Sequence, residues 1–206
     1  MYNKFEKKTN KLYNANSVNG AATATWCEDT GTATGSPAKG TTRTEGVTDV
    51  NWKNSGVIGT GYAAAPITAG NNSFVKWQFL KFTGTYNQIL NGLFAHTSGV
   101  CGTDVTLHGP GACTNGASRP LYTTPDATTN NTACPTTITS AISIGSGVAV
   151  AFGPTGPEDA SKGTSHDYTT NPVGYSNYLP TQLRTGGTAV AGDIAALTLT
   201  CQFDEN

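Results

Sequence analysis

SFVKWQFLKFTGTYNQI, residues 73–89, is the densest aromatic stretch of the chain and carries Lys76 and Lys81 among its rings. It reads either as a basic, aromatic surface for a ligand such as single-stranded nucleic acid, or as a strand that builds a core. Alternation decides between them, because successive side chains of a strand point to opposite faces. Val75, Trp77 and Phe79 fall on one face and are expected in the core, where each large apolar side chain contributes about 1.5–3 kcal/mol. Lys76, Gln78 and Leu80 fall on the other, which is expected to point outward. The pattern slips at Lys81 and Phe82, which predicts a bulge or strand end before a turn at Gly84.

The rest of the composition agrees with a strand reading. Charged residues are only 12% of the 206-residue chain and nearly cancel at net −1, against roughly 25% in an average domain. Polarity comes instead from 35 Thr, with 25 Gly beside them. Thr is β-branched and suits a pleated strand, and Gly suits turns. Period-two alternation recurs at Val105 and Leu107, at Val148, Val150 and Phe152, and most clearly at Leu197, Leu199, Cys201 and Phe203. Turn-forming runs such as AGNNS and FGPTGPED separate these segments. The expectation is an all-β protein: an antiparallel two-sheet β-sandwich, jelly-roll or immunoglobulin-like, over 46–206. The core is expected to include Val75, Trp77, Phe79, Leu197, Leu199 and Phe203. One short helix is expected near 172–184, where Tyr175, Tyr178, Leu179, Gln182 and Leu183 follow helical spacing, with Pro180 limiting its length.

Residues 1–45 read differently, as an extended N-terminal arm. Lys4, Lys7, Lys8 and Lys11 stand against Glu6 alone, and 14–45 is mostly Asn, Ala, Thr and Gly around Trp26. Such a segment buries too little apolar surface to offset its ordering entropy unless it lies on something else. Lys4, Phe5, Lys7, Lys8, Lys11, Tyr13 and Trp26 are the candidate partner-binding residues; packing back on the arm's own domain is the alternative.

Catalytic and metal-binding patterns are scarce. Among three histidines, Ser165, His166 and Asp167 are sequence neighbours whose side chains diverge in an extended chain, whereas a triad needs serial hydrogen bonds. His96 and His108 have few carboxylates near them beyond Asp104, and Glu28–Asp29 and Glu158–Asp159 read as solvated acidic pairs. Five cysteines without a CxxC pair indicate no zinc site; Cys101 and Cys113 could close a loop, and the others read as thiols. No catalytic residue, cofactor or metal is expected. The N-terminus has no apolar stretch to act as a signal, and no segment approaches the roughly 18 apolar residues of a membrane span, so a cytosolic site of synthesis and no membrane are expected. After residue 45, six basic residues face nine acidic ones, a poor groove for phosphates, so no nucleic acid is expected as a partner.

The stretch GVTDVNWKNSGVIGTGYAAAPITAGNNSFVKWQFLKFTGTYNQILNGLFAHTSG, with the later GSGVAVAFGPTGPE and AGDIAALTLTCQFDEN, resembles small auxiliary structural proteins of tailed bacteriophages. The resemblance covers roughly Gly46 to Asn206 and is carried by turns and strands. It implies a non-enzymatic virion protein, assembled in the bacterial host cytoplasm, that binds a particle surface, commonly as a homo-oligomer. The function expected is that of a capsid decoration or cement protein bound to the major capsid protein or another virion protein. The alternatives are a tail, collar or baseplate component, and a carbohydrate-binding β-sandwich in which Trp52, Tyr62 or Tyr122 stacks on sugar rings.

Overall fold

The structure, a computed structural model, describes residues 5–7, 22–36, 38–84, 88–98, 101–112, 120–127, 129–138, 148–150, 152–153, 166–167, 173–190 and 197–205. Among these the chain is all-β: thirteen strands and one turn of 3-10 helix at Tyr62–Ala64. The larger sheet runs in the order β3 (Lys39–Glu45), β2 (Thr23–Thr34), β4 (Lys76–Thr83), β12 (Leu179–Thr185), β6 (Val105–Gly109), β7 (Thr136–Ile138). The first half of β4 pairs with β12 and its second half with β11 (Val173–Ser176), which also pairs with β9 (Phe152–Gly153). The smaller sheet runs β1 (Phe5–Lys7), β13 (Thr198–Glu205), β5 (Gln88–Ser98), β10 (His166–Asp167), with β8 (Val148–Val150) also on β5. Among the described pairs, β1 beside β13 is parallel and all others are antiparallel.

β4 sits between β2 on one side and β11 and β12 on the other. Both of its faces are covered. On one face, Leu80 and Phe82 join Trp26, Leu179 and Leu183 of the larger sheet and Phe94, Leu199, Cys201 and Phe203 of the smaller sheet in one apolar cluster. Phe82 meets Phe203 edge-on at 4.8 Å between ring centroids, a geometry worth about 0.5–1.5 kcal/mol beyond area burial. On the opposite face, Val75, Trp77 and Phe79 cluster with Cys27, Tyr122, Cys134 and Tyr178. The irregular run that carries Tyr122 and Cys134 covers this second face, with Tyr122 and Tyr178 at 5.2 and 5.3 Å from Trp77.

Three expectations require correction. The face of β4 expected outward is interior: Lys76 is 2% exposed, Gln78 1% and Leu80 2%. It is this face, not that of Val75, Trp77 and Phe79, that shares a cluster with the smaller sheet. The helix expected near 172–184 is two strands, β11 and β12. Pro180 removes an amide hydrogen that a helix interior needs, whereas β4 and β6 on either side supply β12 with ladder partners. Five consecutive buried positions at Leu179–Leu183 hide the period-two signature, so chance helical spacing dominates the sequence pattern.

The third correction concerns the arm. Residues 23–45 are largely β2 and β3, laid against β4 in the larger sheet, so that sheet spans the boundary expected at residue 45. Trp26 belongs to the main apolar cluster at 9% exposure, with its ring 6.4 Å from that of Phe94, and is not placed to meet a partner. Its neighbours in the sheet supply the apolar surface that the segment lacks alone. Of the other expected arm residues, Phe5 and Lys7 lie in β1, beside β13 of the same chain; Lys4, Lys8, Lys11 and Tyr13 lie outside the described residues. Leu197, Leu199, Cys201 and Phe203 are each at most 3% exposed. Because Phe82 sits where the two sheets meet, Phe82→Ala is expected to cost about 3–5 kcal/mol in urea unfolding; a loss below 1 kcal/mol would show that this contact does not hold the sheets together.

Candidate functional site

The chain leaves β3 through Gly46, whose φ of +74° favours glycine, and enters a long irregular segment that returns to β4. Three contacts fix its course. The Val47 amide donates to the Trp26 carbonyl at 3.0 Å, the Phe74 amide donates to the Lys53 carbonyl at 3.0 Å, and the buried Trp52 indole donates to Thr181 Oγ1 at 3.0 Å. Anchored by Trp52, the segment brings Lys53, itself 1% exposed, beside the polar half of the inner face of β4.

The register of β2 on β4 sets Glu28 opposite Gln78. Gln78 Nε2 donates to Glu28 Oε2 at 3.1 Å, and Lys76 Nζ lies 3.7 Å from Glu28 Oε1. Lys76 Nζ also donates to the Ser55 carbonyl at 3.4 Å. Lys53 Nζ and Asn51 Nδ2 both donate to the Thr60 carbonyl, the latter at 2.9 Å. Glu28, Asn51, Lys53 and Lys76 form part of the wall of a cavity of about 340 Å³ that residues 46–50, Ile58, Gly59 and Gly61 also line. Burial pushes the Glu28 carboxyl above the usual range, opposed chiefly by the Lys76 charge. Burial also holds both lysines below theirs, with Glu28 opposing it. The site thus presents both charge signs to a sheltered space.

A second polar cluster lies on the opposite face. Asp29, 1% exposed, accepts both Arg43 Nε at 2.8 Å and Arg43 Nη2 at 2.9 Å, and the Tyr178 hydroxyl at 2.5 Å. The Arg43 guanidinium stacks 4.6 Å from the Phe79 ring centroid. This two-pronged clamp ties β2, β3 and the Tyr178 turn together. Glu28 and Asp29, which read as a solvated pair, are therefore buried on opposite faces of one strand. The alternation within TATWCEDTGTAT is the signal that could have placed them.

Other sequence candidates are dispersed. Trp52 and Tyr122, proposed sugar-stacking rings, are 3% and 2% exposed, which leaves them no face for a sugar; Tyr62 lies in the 3-10 turn. His166 and Asp167 are consecutive in β10, and Ser165, Glu158, Asp159 and Cys113 lie outside the described residues. Cys27, Cys101 and Cys134 are thiols, and burial pushes those of Cys27 and Cys134 up to about 12. His108 sits 3.1 Å from Thr106 Oγ1, its proton affinity lowered by burial and by the Arg184 charge. Among the described residues no group of three or more His, Cys, Asp or Glu could hold a metal ion, and no helix is long and apolar enough to cross a membrane.

Comparison with protein-family models, with curated proteins and with solved structures finds no match to this chain.

Removing one member of a buried ion pair leaves the other charge uncompensated, typically at a cost of about 3–5 kcal/mol. Glu28→Gln is expected to destabilise by that amount in urea unfolding, and adding Lys76→Met is expected to recover most of it. If the double variant is no more stable than Glu28→Gln, the two residues do not act as a pair. Thiol labelling gives a further check: with the thiolate disfavoured and both sites buried, Cys27 and Cys134 are expected to resist maleimide in the native protein at neutral pH and to react fully once it is unfolded. Rapid native labelling of either, located by peptide mass spectrometry, would contradict the packing around Trp77.

Proposed function

We propose that this chain is a non-enzymatic structural protein of a bacteriophage particle, a capsid decoration protein whose two sheets are the layers of a β-sandwich. The shared cluster in which Phe82 of β4 meets Phe203 of β13 supports the sandwich reading. The observation that carries a docking role is the edge of the larger sheet. Among the described residues β3 pairs with β2 alone, and Lys39, Thr41, Thr42 and Glu45 are exposed along it. An outer strand with exposed residues can receive a further strand from a neighbouring chain, while charges at both of its ends limit indiscriminate pairing. The resemblance of Gly46 to Asn206 to auxiliary phage proteins supplies the partner class, the major capsid protein, and a homo-oligomeric state.

The N-terminal contribution is confined by the strands to the residues before β2. A variant lacking residues 1–21 keeps β2 and β3 and is expected to fold yet attach more weakly to purified particles; undiminished attachment would remove the N-terminus from the interface. Quantitative mass spectrometry of purified particles tests the assignment itself. Copies in proportion to the capsid lattice are expected. A few copies per particle would move the protein to the tail, collar or baseplate, and absence from particles would overturn a virion role.

A further inference from the structure

The cavity beneath the segment that follows β3 has a feature that bracing a particle does not require. Its buried wall holds two ammonium groups, Lys53 and Lys76, against one carboxylate, Glu28, each at most 2% exposed. The other charged wall residue, Asp49, is exposed and screened by solvent. Buried charge therefore sums to one unit of surplus positive charge. A buried charge without a counterion is costly, so the surplus is met either by proton loss or by an anion. Donors remain for the second route. An ammonium group has three N–H bonds, and among the described residues Lys53 Nζ uses one, on the Thr60 carbonyl. Lys76 reaches Glu28 and the Ser55 carbonyl only at 3.7 and 3.4 Å.

Asn51 adds an independent observation. Its backbone adopts φ +50°, uncommon for a residue with a side chain. Its amide nitrogen is committed to Thr60, and its Oδ1 is buried with no hydrogen-bond partner among the described residues. A buried acceptor left unmatched costs about 1–3 kcal/mol. The residues that line the cavity therefore include surplus ammonium donors and an unmatched acceptor, in a volume at the low end of that of small-molecule sites.

We propose that this cavity binds a monocarboxylate that carries a hydroxyl or amide N–H beside its carboxylate: the carboxylate is held by Lys53 and Lys76, and the adjacent donor by Asn51 Oδ1. A single negative charge balances the surplus, whereas a phosphate in its dianionic form overshoots it. An incoming carboxylate also reverses the loss of proton affinity that burial imposes on both lysines. The same chemistry is found in a free hydroxy acid and in the C-terminus of a protein chain. The inference is independent of any role in a particle.

Titration of the full chain, followed by NMR of lysine and Asn51 side-chain signals, tests the proposal with lactate, N-acetylglycine, propionate and inorganic phosphate as probes. Saturable binding of lactate or N-acetylglycine is expected, with a Kd on the order of 1 mM or tighter. Tighter binding of N-acetylglycine points to a chain terminus and tighter binding of lactate to a free acid. Propionate, lacking the donor, is expected to bind at least about 5-fold more weakly, in keeping with the loss of roughly one hydrogen bond. Lys53→Gln is expected to weaken binding about 10-fold or more, as loss of a charge-assisted hydrogen bond does. Should that variant fail to fold, Gly61→Leu serves instead. Gly61 is exposed on the cavity wall, and a Cβ there meets no atom within 4 Å, so the added side chain is tolerated, and its bulk on that wall is expected to weaken or abolish binding. No saturable binding of either donor-bearing acid, binding unchanged in these variants, equal affinity for propionate, or a preference for phosphate would each overturn the proposal.

Discussion

Residues 76–80 of strand β4 have no solvent face, and the rest of the structure follows from that constraint. A strand buried on both sides needs a covering layer for each. The smaller sheet, through Phe94, Leu199 and Phe203, and the run bearing Tyr122 and Cys134 provide them. It also needs ladder partners on both edges, which β2 on one side and β11 with β12 on the other supply. Lys76 and Gln78 then have no route to water, and each must be matched inside. Gln78 and Lys76 meet Glu28, and on the opposite face Asp29 meets Arg43 and Tyr178.

The two charged clusters serve different ends. Asp29 is saturated by a bidentate guanidinium and a phenol, a closed arrangement that fixes the position of β3 and of Tyr178 on β2. Glu28 is matched less fully, by one amide at 3.1 Å and one ammonium at 3.7 Å, beside a cavity and a second lysine. Buried ion pairs are poor sources of net stability, because desolvation cancels much of the Coulomb gain. The cluster around Glu28 thus contributes less to the fold than the aromatic contacts around it, and its significance lies in the charge it keeps inside.

Much of the architecture was legible from residue type alone. The Thr- and Gly-rich, charge-poor composition points to strands, and Leu199, Cys201 and Phe203, with Leu197 just before their strand, alternate clearly because the face they form is uniformly apolar. Legibility failed where both faces are buried. In 76–80 and 179–183 the alternation separates one interior from another, so polarity misleads: Lys76 and Gln78 read as solvent-facing, and 179–183 as helical. Lys53 could not be placed from sequence, since its burial depends on Trp52 reaching Thr181, a residue 129 positions away. Trp26 reads as part of an arm because its local sequence is weakly apolar; its packing partners come from β4 and β5.

The face of β4 that bears Lys76, Gln78 and Leu80 is interior, and maleimide labelling of a folded Leu80→Cys variant, read by peptide mass spectrometry, decides the point. Leu80 is 2% exposed and belongs to the cluster shared by the two sheets, whereas Lys39 is exposed. With a Lys39→Cys variant for comparison, the thiol introduced at position 80 is expected to stay unlabelled while that at position 39 is fully labelled, and both are expected to react after unfolding. Labelling at position 80 as fast as at position 39 would contradict an interior face.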